Sequence, residues 1–239
     1  MKPSRKAAII ERSRQLLIQL WMMRDQLWDD PPSAEDLFPL PVEILIKGLL
    51  AIKYEEPIEL PSLTSLTLKV SADETFGFMD RDSRRIVVPQ NFKTEWRRFT
   101  AAHEVGHWVL HPKVKYHRDR PLTGAERNNA FLPPEEQEAN LFAAYLLMPS
   151  RTVRKYFERH FGDSIDGREP NEELACYLSA SAGQNIDAID LAKRGPEYRG
   201  LLISQTSSYD GRRFIPLAAR FGVSPTAMAI QLKDLQLVR

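Results

Sequence analysis

The stretch RRFTAAHEVGHWVLH, residues 97 to 111, constrains this chain more than any other. His103, Glu104 and His107 form an H-E-x-x-H pattern, and His111 repeats the four-residue spacing once more. On a helix, residues four apart lie one turn above each other on a single face. Two imidazoles so placed can share one tetrahedral zinc ion at about 2.0–2.1 Å each. Glu104 follows the first ligand but is turned by about 100° around the axis, so it reaches a water on the metal and not the metal itself. There it can act as a general base. This geometry requires a helix, and the flanks supply one. Phe99, Ala102, Val109 and Leu110 can face a core, Thr94 can cap the first turn, Glu95 complements its dipole, and Pro112 stops it. Gly106 inside such a helix costs about 1 kcal/mol relative to alanine, and so marks a close approach by another backbone. The competing reading, a packed histidine pair with a surface glutamate, does not account for that helical context.

A catalytic zinc site needs a third protein ligand and leaves its fourth position to water. His111 lies about 12 Å along the axis from His103 and cannot join the same ion on a regular helix. The longer H-E-x-x-H-x-x-G-x-x-H arrangement is absent, so His111 reads as a dipole partner or a packed residue. A carboxylate on a second helix is therefore expected. PPEEQEANLFAAYLLMP (133–149) is such a helix, bracketed by prolines and acidic at its start. Glu135, Glu136 and Glu138 all lie in its first turns. Apolar residues at i+3, i+4 and i+7 (Leu141, Phe142, Tyr145) put Glu138 near the buried stripe, which favours it, whereas Glu135 and Glu136 read as partners of the helix dipole.

Elsewhere the pattern is mainly helical. Residues 5–28 form one amphipathic helix closed by DDPPS, and 41–54 a second, short one. LTLKV (66–70), TFGFM and RRIVVP read as a small antiparallel meander with a turn at DRDS (80–83), followed after the motif helix by a polar, basic loop from 112 to 132. RRIVVP is the expected edge strand for pairing with an extended substrate. Breaks near Gly162, Gly183 and Gly195 divide the later helices. LAARFGVSPTAMAIQL ends the chain with a helix-turn-helix-like pair around Ala218, Gly222, Ser224 and Pro225. Trp21, Trp28 and Trp96 read as core anchors.

With 33 Lys and Arg against 32 Asp and Glu, the net charge of +1 carries no general attraction to nucleic acid or membrane. The single cysteine, Cys176, excludes an internal disulfide framework and reads as a small buried residue in a reducing compartment. Charges interrupt the N-terminal apolar stretch, so it reads as neither a secretion signal nor a membrane span, and a cytoplasmic protein is expected.

RRFTAAHEVGHWVLH followed by EQEANLFAAYLLMP resembles the ImmA/IrrE family of zinc metallopeptidases, densely from about residue 75 to 150. The last helices are similar to the C-terminal pair that many members carry. The resemblance implies an α+β, mainly helical zincin-like core at 61–150. An N-terminal helical region (1–60) would pack on it, and a C-terminal helical region (151–239) would follow. It implies His103, His107 and Glu138 as metal ligands and Glu104 as the catalytic carboxylate. The ion would be zinc, with manganese or iron tolerating similar ligands. It also implies endoproteolysis of a protein regulator, such as a helix-turn-helix repressor. Tyr145 and His117 are candidates for stabilising the oxyanion. Two other readings stand beside it. In one, a zinc-stabilised protein binds its repressor without cutting it. In the other, the C-terminal pair binds DNA, which the scarcity of positive charge on its second helix disfavours.

Overall fold

The computed structural model describes residues 1–58, 77–119 and 132–239. It divides into two compact units, Met1–Leu147 and Met148–Arg239. The expected strand at 66–70 and residues 120–131 of the expected basic loop lie outside the described residues.

In the first unit, α1 (Pro3–Met22) starts at a proline, whose missing N–H costs nothing there, and buries Ile9, Leu16 and Leu20. The helical pattern expected to run to residue 28 breaks at Met23, and α2 (Arg24–Leu27) is a single further turn. The helix expected over 41–54 is shorter than its pattern. α3 (Val42–Ile44) passes into a π-helical turn, Leu45–Leu49, and the chain then extends into β1 (Lys53–Glu55). The switch comes at Ala51, whose φ of 51° no helix continues.

β2 (Gly77–Asp80) and β3 (Arg85–Val87) form an antiparallel pair, joined by a turn in which Arg84 takes a φ of 49°. The side-chain hydroxyl of Ser83 donates to Asp80 Oδ2, as do the Asp82 and Ser83 N–H groups to Oδ1 at 3.1 and 3.3 Å. This is the turn that DRDS suggests. The sheet order is β1-β3-β2-β4, with β1 parallel to β3 and β4 (Tyr116–Asp119) antiparallel to β2. The sheet is thus mixed, not purely antiparallel. RRIVVP supplies an interior strand, and among the described residues the edges are β1 and β4. β4 falls where a basic loop was expected, because its pairing with β2 outweighs its polar composition.

α4 (Thr94–Leu110) carries the histidine motif across this sheet. Thr94 is its first residue but does not cap it; Lys93 occupies the N-cap position without a side-chain bond. The other end is closed by Arg81 of the β2–β3 turn. Its Nη2 donates to Trp108 O at 2.9 Å and to His107 O and His111 O at 3.4 Å, while Nε donates to Val114 O at 3.1 Å. The guanidinium also stacks 4.3 Å from the Trp108 ring. α5 (Pro134–Leu147) packs on α4 on one side and on α1 on another. The close approach expected at Gly106 is present: a Cβ there would meet Ala139 Cα and O at 3.1 Å and Phe142 Cδ1 at 3.3 Å.

The second unit contains α6 (Ser150–Phe161), α7 (Glu172–Ala182), α8 (Ala188–Lys193), α9 (Pro196–Gln205), the hairpin β5 (Ser208–Tyr209) and β6 (Arg212–Arg213), α10 (Leu217–Phe221) and α11 (Pro225–Asp234). Its breaks fall where the glycines stand. Gly162 and Gly183 follow α6 and α7 at φ of 84° and 65°, and Gly195 precedes α9. Arg199 is buried at 2 % exposure, its Nη1 donating to Leu191 O at 3.2 Å and its Nε to Arg239 O at 3.1 Å. Gly222 turns at φ 61° and Ser224 accepts from Ala227 N–H at 3.2 Å, which gives the helix-turn-helix-like end its shape. The only cation on α11, Lys233, pairs with Glu197 at 2.6 Å.

Two expectations fail on burial. Cys176 is exposed on α7. Trp96 is 49 % exposed, and Trp21 and Trp28 are only half-buried. No helix among the described residues is long and apolar enough to cross a membrane.

Candidate metal centre

α4 buries the whole run from Thr100 to His107, because one side meets the sheet and another meets α5. His103 and His107 are 2 % and 1 % exposed, and Glu104 is fully buried. The two rings turn their Nε2 atoms toward each other at 3.0 Å. Glu136, from the first turns of α5, brings Oε2 to 3.3 Å from His103 Nε2 and Oε1 to 3.5 Å from His107 Nε2. His117 enters from β4 and stacks on His107 with ring centroids 3.5 Å apart. Its Nδ1 donates to Glu104 Oε2 at 3.1 Å and its Nε2 to Glu136 Oε1 at 2.7 Å. One ligand atom from each of His103, His107, His117 and Glu136 lies within 4.8 Å of all the others.

Glu138, the carboxylate that apolar periodicity favoured, stands elsewhere. Arg5 Nε and Nη2 donate to its Oε1 and Oε2 at 2.7 and 2.5 Å, and His111 Nε2 donates to Oε2 at 3.1 Å. The physical reason is that α5 is covered twice. Glu138 meets Arg5 of α1, while Glu136, Ala139 and Asn140 meet α4. A single apolar stripe therefore does not say which acidic side chain of α5 stands beside the histidines. The usable signal was Asn140, one turn beyond Glu136 on the same face. Its Oδ1 accepts from His103 Nδ1 at 2.9 Å, a partner that sequence reasoning missed. His111 is not part of the cluster; its Nδ1 lies 3.1 Å from His107 Nδ1. Tyr145 is buried on α5.

Charge balance in the cluster follows from burial. Desolvation is the largest influence on His107 and, with His103 and His117 close by, pushes its pKa down to about 3 against the pull of Glu136. Burial also opposes the His117 cation, but its hydrogen bonds to Glu104 and Glu136 outweigh this and raise its pKa to about 10. Burial favours neutral Glu136, yet the imidazoles of His103, His107 and His117 around it hold its pKa far below the ordinary carboxylate range.

These residues fit a divalent metal ion on three counts. The bond from His103 to Asn140 fixes the proton on Nδ1 and leaves the Nε2 lone pair for a metal. The Nε2–Nε2 separation of 3.0 Å is near the roughly 3.3 Å edge of a zinc–imidazole tetrahedron. Glu104 Oε1 is buried with no hydrogen-bond partner, as a carboxylate would be whose partner is a water on the ion.

Comparison with known proteins agrees with this chemistry. Over 92 residues the chain is 34% identical to "Uncharacterized immunity region protein 2" of Bacillus phage phi105, covering 37% of this chain and 54% of that relative. The chain thus spans about half the length of this relative. The family model of the IrrE N-terminal-like domain matches residues 62–185, more than half of the chain and all of α4 and α5. The chain belongs to this metallopeptidase family, Peptidase_M78.

Proposed function

We propose that the protein is a zinc-dependent endopeptidase in which His103, His107 and Glu136 hold the ion and Glu104 is the general base. The observation that carries this reading is the convergence of two Nε2 atoms and the Glu136 carboxylate beside a buried Glu104 oxygen with no protein partner. Two imidazoles and one carboxylate suit zinc better than the harder, oxygen-seeking ions. A divalent ion held there supplies a water of lowered pKa and polarises a peptide carbonyl.

Glu104, one of whose oxygens has no protein partner, would take a proton from the attacking water as the C–O bond forms. It delivers the proton to the departing nitrogen as the C–N bond breaks, so one water is consumed and an acid and an amine leave. His117, whose two ring nitrogens face Glu104 and Glu136, would release one of these bonds to donate to the negative charge that develops on the carbonyl oxygen. β4, which carries His117 and is an edge strand among the described residues, offers main-chain groups to an extended substrate.

The substrate we propose is a protein regulator such as a helix-turn-helix repressor, a choice supported by the immunity-region name of the phage relative. The pairing of Lys233 with Glu197 argues against a DNA-reading α11. The test incubates the protein with repressors encoded beside it, with and without chelator. Zinc-dependent cleavage that Glu104→Gln abolishes while zinc stays bound is expected. A repressor bound but left intact points instead to sequestration without proteolysis.

A further inference from the structure

Beyond the cluster runs a second line of polar groups. Arg5 on α1 grips the Glu138 carboxylate through two nitrogens, Glu138 Oε2 lies 3.1 Å from His111 Nε2, and His111 Nδ1 lies 3.1 Å from His107 Nδ1. His107 Nε2 faces the other ligand atoms. We propose that Glu138, His111 and Arg5 are positioning residues, which fix the tautomer and ring orientation of His107 and so bring the N-terminal helix into the metal site. This rests on the reading of His107 as a metal ligand.

The protons can be assigned in sequence. A carboxylate held by a guanidinium only accepts, so His111 presents Nε2–H to Glu138. With Nε2–H given to Glu138, His111 can present its Nδ1 lone pair to the Nδ1–H of His107 across the 3.1 Å contact. That leaves the His107 lone pair on Nε2, the atom beside His103 and Glu136. Each group in the line thus dictates the state of the next. Burial strengthens the effect, because His111 and Glu138 have side-chain exposures of 9 % and 15 % and water competes weakly for their bonds. Arg5 is 44 % exposed and acts as the outer brace. The arrangement matches that at His103, whose Nδ1–H is held by Asn140. Each proposed imidazole ligand therefore has its own acceptor, Asn140 of α5 for His103 and His111 at the end of α4 for His107. Loss of such an outer partner typically weakens metal binding about 10–100-fold.

The experiment measures zinc affinity by competition with a chromophoric chelator, for wild type, Glu138→Ala, His111→Phe, Arg5→Met and the exposed control Glu135→Ala. The two inner variants should bind zinc about 10–100-fold more weakly, Arg5→Met should lose less, and the control should match wild type. The same proteins are compared for secondary structure without metal. On zinc-loaded wild type, NMR should detect a 15N–15N coupling across the hydrogen bond between His107 Nδ1 and His111 Nδ1. A wild type that binds no zinc refutes the reading of the cluster itself. A wild type that binds zinc without that coupling, or with folded inner variants within twofold of its affinity, overturns this proposal alone.

Discussion

Gly106 offers a quantitative test of how closely α4 and α5 must approach. A Cβ at this position meets Ala139 Cα and O at 3.1 Å, a few tenths of an ångström inside ordinary contact, and Phe142 Cδ1 at 3.3 Å. Two of those atoms are backbone, so relief requires α5 to shift and not merely a side chain to rotate. Removing a helical glycine gains about 1 kcal/mol, while overpacking of a dense interface costs about 1–3 kcal/mol. Gly106→Ala should therefore be destabilised by about 0–2 kcal/mol, and Gly106→Leu, with three further carbons to place, by more than about 3 kcal/mol. Glu136 rides on the displaced helix at 3.3 and 3.5 Å from the imidazole nitrogens, so zinc affinity should fall even in the folded alanine variant. Urea unfolding of the metal-free proteins gives the first quantity, and chelator competition the second. A Gly106→Ala protein stabilised by the full ~1 kcal/mol that helix propensity allows, with unchanged zinc affinity, would refute the close approach.

Three further outcomes follow from other parts of the structure. Arg199→Met removes the buried guanidinium that donates to the Leu191 and Arg239 carbonyls, and should lower unfolding stability by about 1–3 kcal/mol as measured by urea unfolding. Asp80 is partly desolvated, but its bonds from Ser83 and Asp82 and the charge of Arg85 leave its pKa lowered. Its stabilisation is therefore present above the unfolded carboxylate value near 4 and is lost as pH falls through the lower folded value. Asp80→Asn should accordingly flatten acid unfolding below about pH 4, and an unchanged acid limb would contradict the assignment. Cys176, exposed on α7, should react stoichiometrically with a thiol reagent in the folded protein, whereas protection until denaturant is added would show it buried.

The helix that carries the histidine motif was legible almost completely, since four-residue spacing, an internal glycine and a following proline each have one structural consequence. Gly106 against Ala139 and Gly222 before Ser224 were legible for the same reason. Glu136 was not, because periodicity reports that a face is buried without saying against what, and α5 has two such faces. β4 was hidden by its charge: KYHRD reads as solvated loop until β2 supplies hydrogen bonds to it. The burial of Trp96 and Cys176 was misjudged because residue type sets only an average, and a helix with one face packed leaves large or sulfur-bearing side chains outside.

The most direct test of the account is a zinc-edge anomalous diffraction measurement on crystals of the zinc-loaded protein. The account predicts one ion, bound by His103 Nε2, His107 Nε2 and the Glu136 carboxylate, with Glu138 remote from it and in contact with His111. An ion ligated by Glu138, or no ion between α4 and α5, would contradict it.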